Sequence, residues 1–276
     1  MTIKDEPKAA DYLYNIGYFR LSAYFYPLLK LPKEQHQYKA GATFTQALDM
    51  YRFDRKLRFL LFNEIEKIEV AIRSCITNAV SEYFNDLFWI TNPAYFVNMQ
   101  NFQYIQDTID VELKKSKEDF IRHFQSTYTD SYPPAWMIAE IIPLGLLCRT
   151  YANLKDNRIK KRIAQHFGLQ VPVFSSWIII LAGLRNMCCH HCRTWNRELA
   201  VITTEPRKTK FGWIDTTRTD KRRMYYRICM IRYFLYTVSP KNKFKDKLKA
   251  LLAVYPNIDV RAMDFPANWE NEDFWE

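Results

Sequence analysis

Between Gly41 and Pro93 the chain contains neither glycine nor proline, and this uninterrupted stretch restricts the fold more than any other feature. Within it Phe53, Leu57, Leu60, Leu61, Ile65, Ile68 and Ile72 recur at steps of three and four residues, the period of a helix with one buried stripe. The spacing predicts the longest helix of the chain, running from about Ala42 to a break at Asn92-Pro93. Only 6 glycines occur in 276 residues, too few for the tight turns of a many-stranded protein. The expected class is all-α, a bundle of helices joined by short loops in one domain over residues 1–276.

Upstream, Tyr12 to Leu29 crowds tyrosines and phenylalanines around Gly17. It reads as one packed helix or two half-helices with its rings in the core, although such rings can also stack on bases. Downstream, a helix is expected from about Phe102 to Gln125. Another opens at Pro134 and is kinked or divided near Pro143 and Gly145, and a short basic amphipathic helix covers Asp156 to Phe167. Residues 193–217 read as a long loop before a helix from about Arg218 to Val238. On the long helix, Asp54 with Arg58 and Glu69 with Arg73 stand at i,i+4 and read as ordinary solvated ion pairs. Spacing alone assigns neither Glu69 nor Arg73 a supporting role at a site.

Forty Lys and Arg against thirty Asp and Glu give a formal charge of +10, which favours a polyanionic partner. Residues 201–250 hold fourteen of the cations against four acids, so this loop-and-helix region is the expected binding face. The longest apolar run, Trp177 to Leu184, falls short of the roughly 20 residues that span a bilayer, so no membrane partner is expected. The opening MTIKDEPKAAD carries no apolar signal segment, and the cysteines cluster at Cys188, Cys189 and Cys192 rather than forming a dispersed framework. A reducing cytoplasm is the expected location.

The segment Phe174 to Arg197, FSSWIIILAGLRNMCCHHCRTWNR, concentrates the chemistry. On a helix, Asn186, His190, Arg193 and Arg197 fall at i, i+4, i+7 and i+11 and share one polar face. Leu184, Met187, Cys188, His191 and Trp195 fall opposite, where burial is expected, and Arg185 flanks the polar face. Such a set suits cleavage of an RNA phosphodiester. An imidazole can take the proton of a ribose 2′-hydroxyl or give one to the leaving 5′-oxygen. Arginine stabilises charge on the phosphoryl oxygens, and asparagine holds the phosphate or the imidazole tautomer. This route needs no metal or other cofactor, and its products are a 2′,3′-cyclic phosphate and a 5′-hydroxyl. Cys188 and Cys192 could share a zinc ion at i,i+4, but no second pair of ligands is evident.

These segments together resemble the Abi family of bacterial abortive-infection proteins, the AbiD/AbiF-like group, within the HEPN superfamily. The resemblance is carried by IGYFRLSAYFYP (Ile16 to Pro27), FDRKLRFLLFNEIEKIEVAIR (Phe53 to Arg73), PPAWMIAEIIPLG (Pro133 to Gly145), RNMCCHHCRTWNR (Arg185 to Arg197) and FPANWENEDFW (Phe265 to Trp275). Arg185, Asn186 and His190 match the R-N-x-x-x-H signature of HEPN ribonucleases. Thr194 departs from it, standing where the family usually has an aliphatic residue. The resemblance implies a HEPN-type helical bundle with additional helices, a homodimer that joins two such motifs, and a phage-defence or toxin role that stops growth. It also implies a small non-coding RNA as a possible partner.

Two classes of function follow. The first is a metal-independent endoribonuclease with Arg185, Asn186 and His190 as its catalytic residues. The second is a non-catalytic RNA-binding module partnered with a small RNA. In either, Arg193, Arg197, Lys221, Arg222, Arg223 and Arg227 are the expected RNA contacts. An imidazole at position 190 favours the first, because a simple phosphate binder needs only cations.

Overall fold

The long helix begins where its sequence first offers a cap. In the computed structural model, which describes residues 1–276, the Thr43 hydroxyl accepts the Gln46 N–H at 3.2 Å, and the Gln46 side chain accepts the Thr43 N–H at 2.9 Å. This reciprocal box satisfies donors that the first turn would leave unpaired. The helix it opens, α3, runs Phe44–Phe84. It stops before the expected Asn92-Pro93 break because Asn85 turns left-handed (φ 50) and its N–H folds back onto Glu82. Pro93 only starts a later short 3-10 turn.

Eleven α-helices and no strand make up the fold, as the all-α expectation requires. The aromatic block forms two half-helices, α1 (Glu6–Ile16) and α2 (Tyr18–Phe25), divided at Gly17, whose φ of 89 suits glycine. Its rings divide too. Tyr24 and Phe25 are buried, but Tyr14 and Phe19 are each 92% exposed, because so short a helix covers only the side facing α3.

The single helix expected over Phe102–Gln125 is two, α4 (Met99–Lys115) and α5 (Asp119–Thr127). Ser116 leaves the helical conformation, and its hydroxyl accepts the Glu118 N–H at 3.3 Å, a local alternative to continuing the helix. Pro134 and Pro143 stand immediately before α6 (Ala135–Ile141) and α7 (Leu144–Asn153), so the division near Pro143 is present. Asp156 caps α8 (Asn157–His166). Then come α9 (Val171–Cys189), α10 (Met224–Val238) and α11 (Phe244–Val254).

α3 is the axis of the bundle, in contact with α2, α6, α7, α8, α9, α10 and α11. One cluster of buried side chains runs from Ala9 to Trp275. α10 starts at Met224, later than the expected Arg218, and every residue from Met224 to Leu235 is buried. Lys221, Arg222 and Arg223 therefore precede the helix in a turn rather than lining its first face. By length and composition α9 is apolar enough to cross a membrane (mean hydropathy 1.4), which the short run Trp177 to Leu184 did not indicate. Here half of it is buried, packed against α3, α7 and α8. The core helix of a bundle shares that composition.

Candidate active site

The end of α9 is where the chemistry-bearing residues gather. Leu184 and Cys188 face the core, whereas Ile179, Gly183, Asn186 and His190, one turn apart in succession, form its open stripe. The His190 N–H closes the last helical bond, onto the Asn186 carbonyl at 2.9 Å. His191 then turns left-handed (φ 56). Its N–H reaches the Cys188 carbonyl at 3.2 Å, and the Cys192 N–H reaches that of Met187 at 2.9 Å. This paired back-bonding is a Schellman termination, and it settles that the helix does not continue past His190.

The expectation of one helical face therefore holds for Asn186 and His190 and fails for Arg193 and Arg197. Arg193 folds toward α2 and donates to the Ala23 carbonyl at 2.9 Å. Arg197 is exposed beyond the turn and reaches the Arg193 carbonyl at 3.4 Å. His191 is exposed rather than buried, since the turn removes it from the core-facing side. Cys188 and Cys192 no longer share a helical face, and no group of three or more His, Cys, Asp or Glu is placed to hold a metal. Burial pushes the Cys188 thiol up to about 12, so it is a protonated core group at neutral pH.

Arg185 faces Glu69 of α3 without a hydrogen bond to it. Its Nε lies 3.4 Å from Glu69, while 40% of its side chain remains open. The other Glu69 oxygen takes Arg73 at 2.6 Å. Arg73 in turn donates to the carbonyls of Ala139 and Ile142, the second at 2.9 Å, at the junction of α6 and α7. Glu69 and Arg73 are nearly buried, not the solvated pair that spacing suggested.

The same correction applies more strongly to Asp54 and Arg58. The Asp54 carboxylate is fully buried and accepts from Arg58 at 2.5 Å and from the Tyr24 hydroxyl at 2.6 Å. It also accepts the N–H groups of Thr194 at 3.0 Å and Trp195 at 2.7 Å, and the Thr194 hydroxyl. The hydroxyl at position 194, unusual beside the resembling family, is thus used on Asp54. Burial first, and then the Asp54 charge, raise the Tyr24 pKa and keep it a donor. Arg58 reaches on to the Cys192 carbonyl at 3.2 Å, and Arg20 of α2 donates to that of His191 at 2.9 Å. The turn after His190 is therefore tied to α2 and α3 at nearly every residue. A sequence signal for this node existed: Asp54 and Arg58 fall on the stripe of Leu57, Leu61 and Ile65, which faces the core.

The expected RNA contacts of the basic region are differently placed. Lys221 pairs with Glu205, Arg222 pairs with Glu198 at 2.7 Å, and Arg223 is half-buried. Arg227 is fully buried, its guanidinium spent on the Val201 carbonyl, and burial draws its pKa down to about 10. It does not reach the surface. The exposed cations of the region are instead Arg207, Lys208, Lys210, Lys241 and Lys243, together with the ion-paired Arg218, Arg222, Lys247 and Lys249.

Chemically, the open end of α9 offers an imidazole, an amide and a part-exposed guanidinium within two turns of helix, on a backbone whose end is fixed by the turn that follows. No curated protein and no solved structure matches the chain. A family model described as Abi-like protein matches residues 11–196, from α1 through the turn tied to Asp54. The chain thus belongs to the Abi-like protein family, a membership that points to abortive-infection defence against phage.

Proposed function

We propose that this chain acts in abortive infection as a metal-independent endoribonuclease of the HEPN type, with Arg185, Asn186 and His190 at its centre. The observation that carries the reading is the exposure of Asn186 and His190 on the final turn of α9, beside a part-exposed Arg185 that faces Glu69. In this reading an imidazole removes the 2′-hydroxyl proton as the 2′-oxygen attacks phosphorus. The 5′-oxygen leaves with a proton from an acid, and Arg185 offsets charge on the phosphoryl oxygens.

Homodimerisation, which the resemblance implies, would set two copies of the motif together, so that one imidazole could serve as base and the other as acid. A surface suited to such a homodimer adjoins the site. Ile179 on the open stripe of α9 is 51% exposed, and Val201 and Ile202 in the following loop are 58% and 63% exposed. A cavity of about 310 Å³ lies there, lined by Ile180, Leu184, Met187 and Leu199 together with Arg197 and Glu198.

The test is cleavage of labelled RNA in EDTA by wild type, His190→Ala and Arg185→Ala, with mapping of the ends. Cleavage by wild type alone, leaving 2′,3′-cyclic phosphates, supports the reading. RNA bound equally by all three proteins and cut by none, together with equal toxicity of wild type and His190→Ala in cells, would leave a binding module.

A further inference from the structure

On the other flank of α9, the side of Arg185 rather than of the apolar face, the helix end borders a second cavity, of about 550 Å³. Its walls come from the end of α1 and the start of α2, from α3, and from Cys188, Cys189 and His191. Three arginines, Arg20, Arg55 and Arg58, line it, and no carboxylate does. Arg58 is committed to Asp54 and the Cys192 carbonyl. Arg55 is exposed and has no ion-pair partner, its guanidinium 5.3 Å from the centre of the Phe59 ring. Arg20 is exposed, with one guanidinium nitrogen used on the His191 carbonyl. Phe59 is 60% exposed, and Phe62 and Tyr51 stand beside it in the wall.

We propose that this cavity holds one nucleotide of single-stranded RNA next to the scissile phosphate, with its phosphate on Arg20 and Arg55 and its base on the Phe59 ring. Guanidinium groups that carry no ion pair, beside an exposed aromatic ring, form the pairing that single-stranded nucleic acid uses, charge for the backbone and a ring for the base. An apolar ligand would leave Arg20 and Arg55 unexplained, and since the Arg55 guanidinium lies over Phe59, it is the rest of the exposed ring that is offered to a base. The place along the helices fits as well. α3 offers Arg55 and Phe59 to the cavity and, further along, Glu69 to Arg185. A strand lying along the outside of the seam where α3 meets α9 would pass from the cavity toward Arg185. The proposal rests on the ribonuclease reading for its word scissile and on the cavity alone for binding.

The experiment separates these. Binding is measured by fluorescence anisotropy with a labelled single-stranded RNA in the His190→Ala protein, and again with Phe59→Ala or Arg55→Ala added. Both side chains are exposed, and a thermal melt confirms that each variant is folded. Each added substitution is expected to weaken binding about tenfold, the loss typical of one stacked base or one phosphate contact. In wild-type background, Phe59→Ala should change which base is preferred beside the cut while leaving the cyclic-phosphate ends unchanged. Unaltered affinity in both variants overturns the cavity, whether or not wild type cuts. Weakened binding with no cleavage by any protein supports the cavity and counts against the nuclease. Loss of affinity with Arg55→Ala but none with Phe59→Ala reduces the site to a generic basic patch and overturns the nucleotide assignment.

Discussion

The carboxylate of Asp54 accepts the backbone N–H of Thr194 at 3.0 Å, joining the middle of α3 to the turn that follows His190. Removing it leaves Arg58 as a buried cation without its counter-charge and frees donors on Tyr24, Thr194 and Trp195. Asp54→Ala is expected to lower unfolding free energy by roughly 3–5 kcal/mol. Tyr24→Phe, which deletes one donor to a charged acceptor, should cost about 1–3 kcal/mol. Urea denaturation gives both values; a loss under about 1 kcal/mol for Asp54→Ala would contradict the description of this node.

His190 and Asn186 are open to solvent, so their removal separates chemistry from stability. His190→Ala and Asn186→Ala are expected to shift unfolding free energy by no more than about 0.5 kcal/mol. RNA cleavage by the same proteins should fall by roughly 10²–10⁴-fold for His190→Ala, the range expected for a lost general acid–base group. Paired melts and single-turnover rates on one preparation provide the comparison.

Glu69 serves two arginines, one at the candidate site and one inside the bundle. Glu69→Gln keeps the shape and removes the charge. Stability should drop by a few kcal/mol, because Arg73 is nearly buried. Cleavage should drop about 10²-fold if Arg185 loses its position. Arg73→Met offers the contrast: a stability loss of similar sign with Arg185 still facing its carboxylate.

Glu64 is a buried carboxylate between Lys67 at 2.7 Å and Lys247 of α11 at 2.9 Å. Burial alone would raise its pKa, but the two ammonium groups hold it below the ordinary carboxylate value. A carboxyl depressed by folding adds stability that is complete above its unfolded pKa, near ~4.3, and is lost as pH falls through the lower folded value. The stability difference between wild type and Lys247→Met should therefore be full above about pH 5 and close on further acidification. A gap that widens in acid would reverse the assignment.

Gly168 sits between α8 and α9 with φ +67, and a methyl group there would lie 2.5 Å from Lys210 Cβ and 3.0 Å from the Tyr233 hydroxyl. That hydroxyl donates to the Gly168 carbonyl at 2.8 Å and accepts the Lys210 N–H at 3.2 Å, pinning the long loop against α10. Gly168→Ala is expected to cost more than ~1 kcal/mol, combining an unfavourable backbone with a steric clash. Thermal unfolding would show it, and partial proteolysis should cut the 193–217 loop sooner.

Much of this architecture was legible. The three-and-four spacing after Gly41 marks α3, and the prolines mark the starts of α6 and α7, because a period and a missing donor act locally. What escaped was set by tertiary contact. Arg193 and Arg197 extend the arithmetic of a helix face, but a left-handed His191 ends the face, and few sequences announce a non-glycine in that conformation. Arg227 looked like part of a basic surface, yet it belongs to the most buried helix of the bundle. Asp54 and Arg58 passed for surface ions although they lie on the stripe that points inward.

The distance along the chain between Asp54 and its partners also has a meaning in time. At ~5–20 residues per second, a ribosome completes the 140 residues between Asp54 and Thr194 only after roughly 7–28 s. Throughout that interval α3 carries a carboxylate and a guanidinium on its apolar stripe with no backbone to receive them. Asn186 and His190 emerge before Thr194 and Trp195, the residues through which Asp54 fixes their helix end. A nascent chain therefore lacks a finished site until Thr194 and Trp195 have been made, and the order of synthesis delays any toxicity that site confers.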